Sequence, residues 1–246
     1  MKLIELEEVD STNDYLKKEY QNLPMQTCVT AKYQTKGRGR NGHVWESHAN
    51  ENLIMSFLFK DFHKIEDAWK MTQLATCSVV GLLDRYRIKA TIKWPNDIIL
   101  NKKKVCGILT EMNMEIDSIA YVVVGIGINV NRINFGEEIA DMATSLKKES
   151  GHNIERSVLL SEILTAFFRD YKLFLEKQDL SPFLDYYNKK LVNVDHEVKI
   201  IKKDEEIIRT ALGINERGEL IVQDAEGRKE HIFSGEVSVR GIYGYV

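Results

Sequence analysis

Hydrophobic and polar positions follow two different regimes along this chain, and the change falls near Asn193. Before it, segments with helical spacing interrupt strand-like runs. After it, polar and apolar residues alternate almost without a break. Residues 11–22 read as a helix opened by Ser11-Thr12-Asn13-Asp14, short polar side chains that suit a helix start. Residues 28–33 alternate as a strand, and residues 52–59 form an apolar run that suits a buried one. Residues 68–86 carry the spacing of a long core helix. Residues 91–100, 105–112 and 119–130 read as strands of a largely antiparallel sheet, the first two joined by a turn at Asn101-Lys102-Lys103-Lys104. Residues 131–150 are polar and irregular and predict a mobile loop. Helices are expected at 158–176 and 181–190. From 196 to 246, about five short strands with turns at Asn215-Glu216-Arg217-Gly218 and Ala225-Glu226-Gly227 predict a small β-barrel. The expected division is a larger α+β domain over 1–191 and a smaller all-β domain over 192–246.

Composition narrows the function classes. The chain has 246 residues and a net charge of -3, whereas a whole-surface nucleic-acid binder would normally be basic. No apolar run is long enough to span a bilayer, and the N-terminus lacks the apolar stretch of a signal peptide. Only about ten residues precede the first helix, so no helix-turn-helix is expected ahead of it. Three widely spaced cysteines, Cys28, Cys77 and Cys106, form no metal or redox pattern and fit a reducing cytoplasm. The six histidines show no metal-ligating spacing, and no metal ligand is expected among the side chains.

Three segments carry candidate chemistry. In Gln34-Thr35-Lys36-Gly37-Arg38-Gly39-Arg40-Asn41-Gly42, three glycines, two arginines and a lysine fall within seven residues, and Trp45 closes the segment. Glycine lets backbone approach a ligand, and arginine presents a planar fork of donors to carboxylate or phosphate. The same composition occurs in flexible nucleic-acid-binding tails, so the loop alone leaves both readings open. The second segment is Lys93-Trp94-Pro95-Asn96-Asp97, a tight hydrogen-bonded bend, followed seven residues after Asp97 by Lys104. Lys102 and Lys103 read as an exposed hairpin tip. Lys104 begins a strand, where a charge is held more firmly, and Gly107 suggests close backbone approach beside it. Cys106 reads as a small packing residue. The third segment, Val122-Val123-Val124-Gly125-Ile126-Gly127-Ile128-Asn129-Val130, sets two glycines inside a strong β pattern. Either a group lies against this backbone or the strand carries a bulge. Dinucleotide and P-loop fingerprints and a G-x-S-x-G elbow are absent, so chemistry would rest on positioned cations and backbone donors.

Taken together, Ser11-Thr12-Asn13, the K-G-R-G-R-N-G-x-x-W segment, K-W-P-N-D with its later lysine and G-I-G-I-N-V-N resemble biotin protein ligases in order and spacing. Ala143-Thr144-Ser145-Leu146 and Ser234-Gly235-Glu236-Val237-Ser238 resemble that family too. The likeness covers essentially the whole chain and is closest to the short form without a DNA-binding domain. It implies a class II synthetase-like, mixed and largely antiparallel sheet flanked by helices, plus a small SH3-like β-barrel. It also implies a two-step reaction. Biotin carboxylate attacks the α-phosphate of ATP to give biotinyl-adenylate, and a lysine of a biotin carboxyl carrier domain then displaces AMP. Mg²⁺ accompanies the nucleotide. By matching motif, Ser11, Thr12, Asn13 and Gln34 would bind the ureido ring, and Gly107, Gly125 and Gly127 would line the slot for the apolar tail. Gly37, Arg38 and Arg40 would fold over carboxylate and phosphates. Trp45 would pack near adenine or pin the loop, Asn129 would sit on the adenylate side, and Lys104 would contact carboxylate and α-phosphate. Arg38, Arg40 and Lys104 are thus the expected catalytic cations. Asp97 caps the bend or helps deprotonate the incoming lysine. A lipoate or octanoate ligase, a nucleic-acid-binding module and an inactive biotin sensor are the competing readings. A homodimer formed through a sheet edge is compatible with the pattern.

Overall fold

The structure is a computed structural model that describes residues 1–62, 64–116, 118–202, 205–234 and 238–241. Period-two alternation builds a seven-stranded sheet in the order β1-β2-β3-β7-β6-β5-β4. Its strands are β1 (Lys2–Val9), β2 (Thr27–Gln34), β3 (Asn52–Phe59), β4 (Thr91–Lys93), β5 (Asp97–Leu100), β6 (Lys103–Glu115) and β7 (Ser118–Asn129). Only β1 and β2 run parallel, so the sheet is mixed and largely antiparallel as expected. β1 itself departs from the sequence reading, which found no strand there. It is an edge strand on which only Ile4 and Leu6 turn toward the smaller core and are half-buried, so charged residues dominate its pattern. The expected single strand over 91–100 is two strands, β4 and β5, paired across a reversal where Trp94-Pro95 is cis.

Each face of the sheet takes its own helices. Leu53, Met55, Phe57 and Phe59 of β3 and Val122, Val124, Ile126 and Ile128 of β7 point into the main core, under α2 (Ile65–Arg85) and α4 (Arg156–Lys177). Leu58 and Val123 point the other way and pack with Leu16 of α1 (Thr12–Glu19). β3 is buried along its whole length because both faces are covered. Ser11 caps α1 by accepting from the Asp14 amide at 3.4 Å, as the sequence suggests. The 131–150 segment is anchored rather than loose. Lys104 N donates to Met142 O at 2.7 Å, Thr144 N donates to Lys104 O at 2.9 Å, and a short helix α3 (Leu146–Ser150) follows. These bonds reach a distant strand, which local polarity does not reveal.

After α5 (Leu184–Lys190), five strands form an antiparallel sheet in the order β11-β10-β9-β8-β12: β8 (Glu197–Lys202), β9 (Glu205–Ile214), β10 (Leu220–Gln223), β11 (Lys229–Ile232) and β12 (Ser238–Gly241). The strand number matches expectation. Among the described residues these strands form a five-stranded antiparallel sheet, with no ladder joining β11 to β12. Asn215 makes the predicted turn by accepting from Arg217 N and Glu219 N at 3.0 and 3.1 Å. This sheet is fastened to the larger one by buried Trp94, whose indole donates to Gly218 O at 3.1 Å, and by Trp69 set edge-on to Phe233. No helix among the described residues is long and apolar enough to cross a membrane.

Phe57 is fully buried and stacks on Phe167 of α4 at 4.6 Å between ring centroids, joining sheet to helix. Phe57→Ala is expected to destabilise the fold by about 3–5 kcal/mol, measured as a lower urea midpoint with an unchanged slope. A loss under about 1 kcal/mol would show that the stack is not a support of the core.

Candidate active site

The same alternation that builds the core leaves a bare patch on the opposite face. Ile126 and Ile128 point into the core, so Gly125, Gly127 and Asn129 point toward the α1 side. Gly127 sits across from Gly107 in the β6–β7 ladder, and Gly125 across from Ser56 in the β3–β7 ladder. Side chains from the Arg/Gly loop, from α1 and from β6 itself lie directly on this backbone. A methyl on Gly127 would come within 2.6 Å of the Trp45 indole, one on Gly107 within 2.9 Å of Lys104 Cε, and one on Gly125 would run into the Asn13 carboxamide. The glycines are therefore needed for close approach, and the bulge alternative does not apply: the β7 register runs unbroken from Tyr121 to Ile128 against β6.

Above this floor lies a cleft. Ser11, Thr12, Asn13, Gln34, Arg38, Arg40, Trp45, Lys104, Gly107, Gly125 and Gly127 all line it, so most of the residues singled out by sequence come together. One end is a neutral hydrogen-bonding cluster. The Gln34 side-chain oxygen accepts from Thr12 N at 2.7 Å and from Thr12 Oγ1 at 3.0 Å, and Ser56 Oγ lies 2.7 Å from Thr12 Oγ1 and 2.6 Å from Asn13 Oδ1. All of these side chains are buried, so each must satisfy its polar atoms internally or through a ligand. Ile54, across from Gly127, and Leu109, across from Gly125, contribute the apolar lining.

The other end is cationic. Lys104 Nζ lies 2.6 Å from Asp97 Oδ1 and 5.6 Å from the Trp45 ring centroid. Arg38 Nη1 donates to Asp14 Oδ1 at 3.1 Å. Arg40 donates to Asn96 Oδ1 at 3.3 Å and to the Ser234 carbonyl, spanning from the cis-proline bend to the smaller sheet. Burial draws the Arg40 guanidinium below its ordinary pKa, with Asp97 opposing. Burial likewise pushes the Cys106 thiol up despite nearby Lys104, so Cys106 is a packing residue and not a thiolate.

Two expected residues lie outside the cavity wall. Gly37 closes the base of the loop: Trp45 N donates to Gly37 O at 3.0 Å, and no side chain fits between Gly37 and Trp45. Asn129 is occupied structurally, accepting from Asn52 Nδ2 at 2.8 Å and donating to Thr144 O at 3.0 Å, which ties β7 to the 131–144 segment. Trp45 fits the loop-pinning reading, since its ring lies on the glycine floor with Nε1 buried and without a hydrogen-bond partner among the described residues. The Ser234–Ser238 motif lies largely outside the described residues, at positions 235–237. Sequence reasoning missed Ser56, Asn96 as a partner of Arg40, and Glu111, which accepts from Asn13. Ser56 had a signal, being the one polar residue inside the 53–59 apolar run. Among the described residues, no three His, Cys, Asp or Glu side chains gather as a metal-ligating group.

A slot that combines neutral hydrogen-bonding groups, an apolar wall and cationic side chains, set on a mixed α+β sheet, is suited to a small organic acid beside further anionic charge. The chain belongs to the biotin/lipoate A/B protein ligase family: residues 5–129 match that family, and residues 195–240 match the biotin protein ligase C terminal domain. It is similar to the bifunctional ligase/repressor BirA of Bacillus subtilis, with 34% identity over 89% of this chain and 67% of that protein. It is also similar to the biotin–[acetyl-CoA-carboxylase] ligase of Paracoccus denitrificans, with 27% identity over 91% of this chain and 95% of that one. Among solved structures, the biotin protein ligase of Aquifex aeolicus in complex with biotin and ATP superposes with a TM-score of 0.84. That match has 34% identity and covers 98% of this chain and 99% of that one.

Burial pushes the Lys93 ammonium down to about 8, with Asp97 opposing the shift and Lys104 and Arg240 adding to it. An unfolded lysine titrates near 10.4. Between those two values the unfolded chain binds more protons than the folded one, so stability linked to Lys93 rises with pH across that window. Wild type should gain stability relative to Lys93→Met as pH is raised from about 7 to about 10, read from urea midpoints of both proteins. A difference that does not change with pH would show that Lys93 keeps an ordinary pKa in the fold.

Proposed function

We infer that this protein is an ATP-dependent biotin ligase that transfers biotin, through biotinyl-5'-AMP, to a lysine of a biotin carboxyl carrier domain. The observation that carries this reading is the convergence of Arg38, Arg40 and Lys104 on the same slot as Ser11, Thr12, Asn13 and Gln34. The neutral cluster suits a cyclic urea, which presents N–H donors and one carbonyl acceptor in a fixed plane. The apolar wall suits the aliphatic tail, whose carboxylate then meets the three cations.

In the first step a carboxylate oxygen attacks the α-phosphorus of MgATP and pyrophosphate leaves. Two anions must be held together, so the contribution of Arg38, Arg40 and Lys104 is to offset repulsion and to stabilise charge moving onto the leaving group. The metal belongs to the nucleotide substrate. In the second step the carrier amine attacks the biotinyl carbonyl carbon and AMP departs with the bonding pair. Asp97, paired with Lys104 and placed across from Lys93 in the β4–β5 ladder, is positioned to receive the proton shed by that amine. We assign the chemistry to residues 1–191. The smaller domain over 192–246 contributes by holding Arg40 through Ser234. Three buried free cysteines support a reducing, cytoplasmic setting.

Incubation with ATP, biotin and a carrier domain should add one biotinyl group to one lysine by mass spectrometry. Lipoate in place of biotin should give no adduct; a lipoyl adduct in place of the biotinyl one would replace this reading with the sister activity. Lys104→Ala should lower biotin-dependent pyrophosphate exchange by about 10²–10³-fold, and near-normal exchange would remove Lys104 from the chemistry. Arg40→Gly should still form adenylate but release it faster, measured as free biotinyl-AMP in solution. An unchanged off-rate would place Arg40 outside the reaction.

A further inference from the structure

Outside the cavity wall, a chain of charged contacts links its two ends. Glu111 of β6 accepts from Asn13 Nδ2 at 2.8 Å through one oxygen and from Lys17 Nζ at 2.9 Å through the other. Lys17 Nζ also lies 2.5 Å from Asp14 Oδ1, the same oxygen that accepts from Arg38. The run is therefore Asn13, Glu111, Lys17, Asp14, Arg38. It begins at the neutral end of the slot and finishes at the cationic end.

The direction of the first contact decides an otherwise ambiguous group. An asparagine carboxamide can sit either way round, because its nitrogen and oxygen are nearly the same size. An ionised carboxylate only accepts. Glu111, with the Leu109 carbonyl at a longer 3.4 Å, therefore holds the Asn13 nitrogen toward itself and leaves the oxygen facing Ser56 and the cavity, where Gly125 gives it room. We propose that Glu111 is a positioning residue for ring recognition: it sets the Asn13 amide so that an acceptor, not a donor, meets the urea N–H of the substrate. Lys17 and Asp14 carry the same constraint outward to Arg38. One ionic chain thus orients the ring reader and anchors the first arginine of the anion loop. This inference rests on the biotin ligase reading, since it names the ring that Asn13 meets.

A glutamine at position 111 can donate as well as accept, so only the longer contact to the Leu109 carbonyl still favours one amide orientation. Glu111→Gln should raise the KM for biotin about tenfold in pyrophosphate exchange, equivalent to about 1.4 kcal/mol, with kcat and the KM for ATP within about twofold of wild type. A biotin analogue methylated on both urea nitrogens should be used equally poorly by wild type and Glu111→Gln, because it has no N–H for Asn13 to read. Asp14→Asn tests the other arm. It should raise the KM for ATP and leave the KM for biotin within about twofold. Equal losses for biotin and ATP in both variants, or a biotin KM unmoved in Glu111→Gln, would overturn the proposal. If wild type itself forms no biotinyl-AMP, the ligase reading falls first, and that outcome is distinct from a variant that behaves like an active wild type.

Discussion

The site depends on the close approach of side chains to bare backbone. Gly107, Gly125 and Gly127 form a strip without side chains in the middle of a sheet whose other positions are filled. Trp45 and Asn13 lie on that strip at distances that exclude even a methyl group, and the end of the Lys104 side chain lies close beside Gly107. Glycine inside a strand gives up packing and is entropically unfavourable. Here the lost packing is replaced by an indole, a lysine stem and a carboxamide, each held by a different element. The cavity above exists because those three groups share its floor.

Electrostatics follows from the same compactness. Three cations border one slot, and each has an anionic or neutral oxygen partner: Asp14 for Arg38, Asp97 for Lys104, Asn96 and Ser234 for Arg40. Pairing keeps the guanidinium and ammonium groups from repelling one another in a partly buried space, where like charges are costly. It also positions them before any ligand arrives, which is what electrostatic stabilisation of a shifting negative charge requires.

The loop carrying the arginines is tied at several points to structure far away in sequence. Trp45 fastens its end to the floor, Arg38 ties it to α1, and Arg40 ties it to the smaller sheet. Arg132, itself buried, reaches Glu46 next to Trp45 at 2.9 Å and joins the 131–144 segment to the same loop. Two segments with the composition of mobile loops are therefore cross-linked by ionic contacts.

Local pattern determined a good deal of this protein. Alternation and helical spacing located the strand Asn52–Phe59 to the residue, the α2 and α4 helices within a few residues, and five terminal strands. Order and spacing of short motifs identified most residues that line the slot, because glycine, arginine and the Trp-Pro-Asn-Asp bend have few structural substitutes. What local pattern did not carry was partnership. Whether Asn129 faces a ligand or a neighbouring loop, whether Gly125 serves a substrate or Asn13, and that Glu111 orients Asn13 across 98 residues are decided by strand register and by which face a period-two pattern turns outward. Register is a relation between segments, and each of these contacts joins residues that no short window of sequence contains. The residue types were legible because their chemistry is intrinsic; their contact partners were set only in three dimensions because hydrogen bonds and charges act through space.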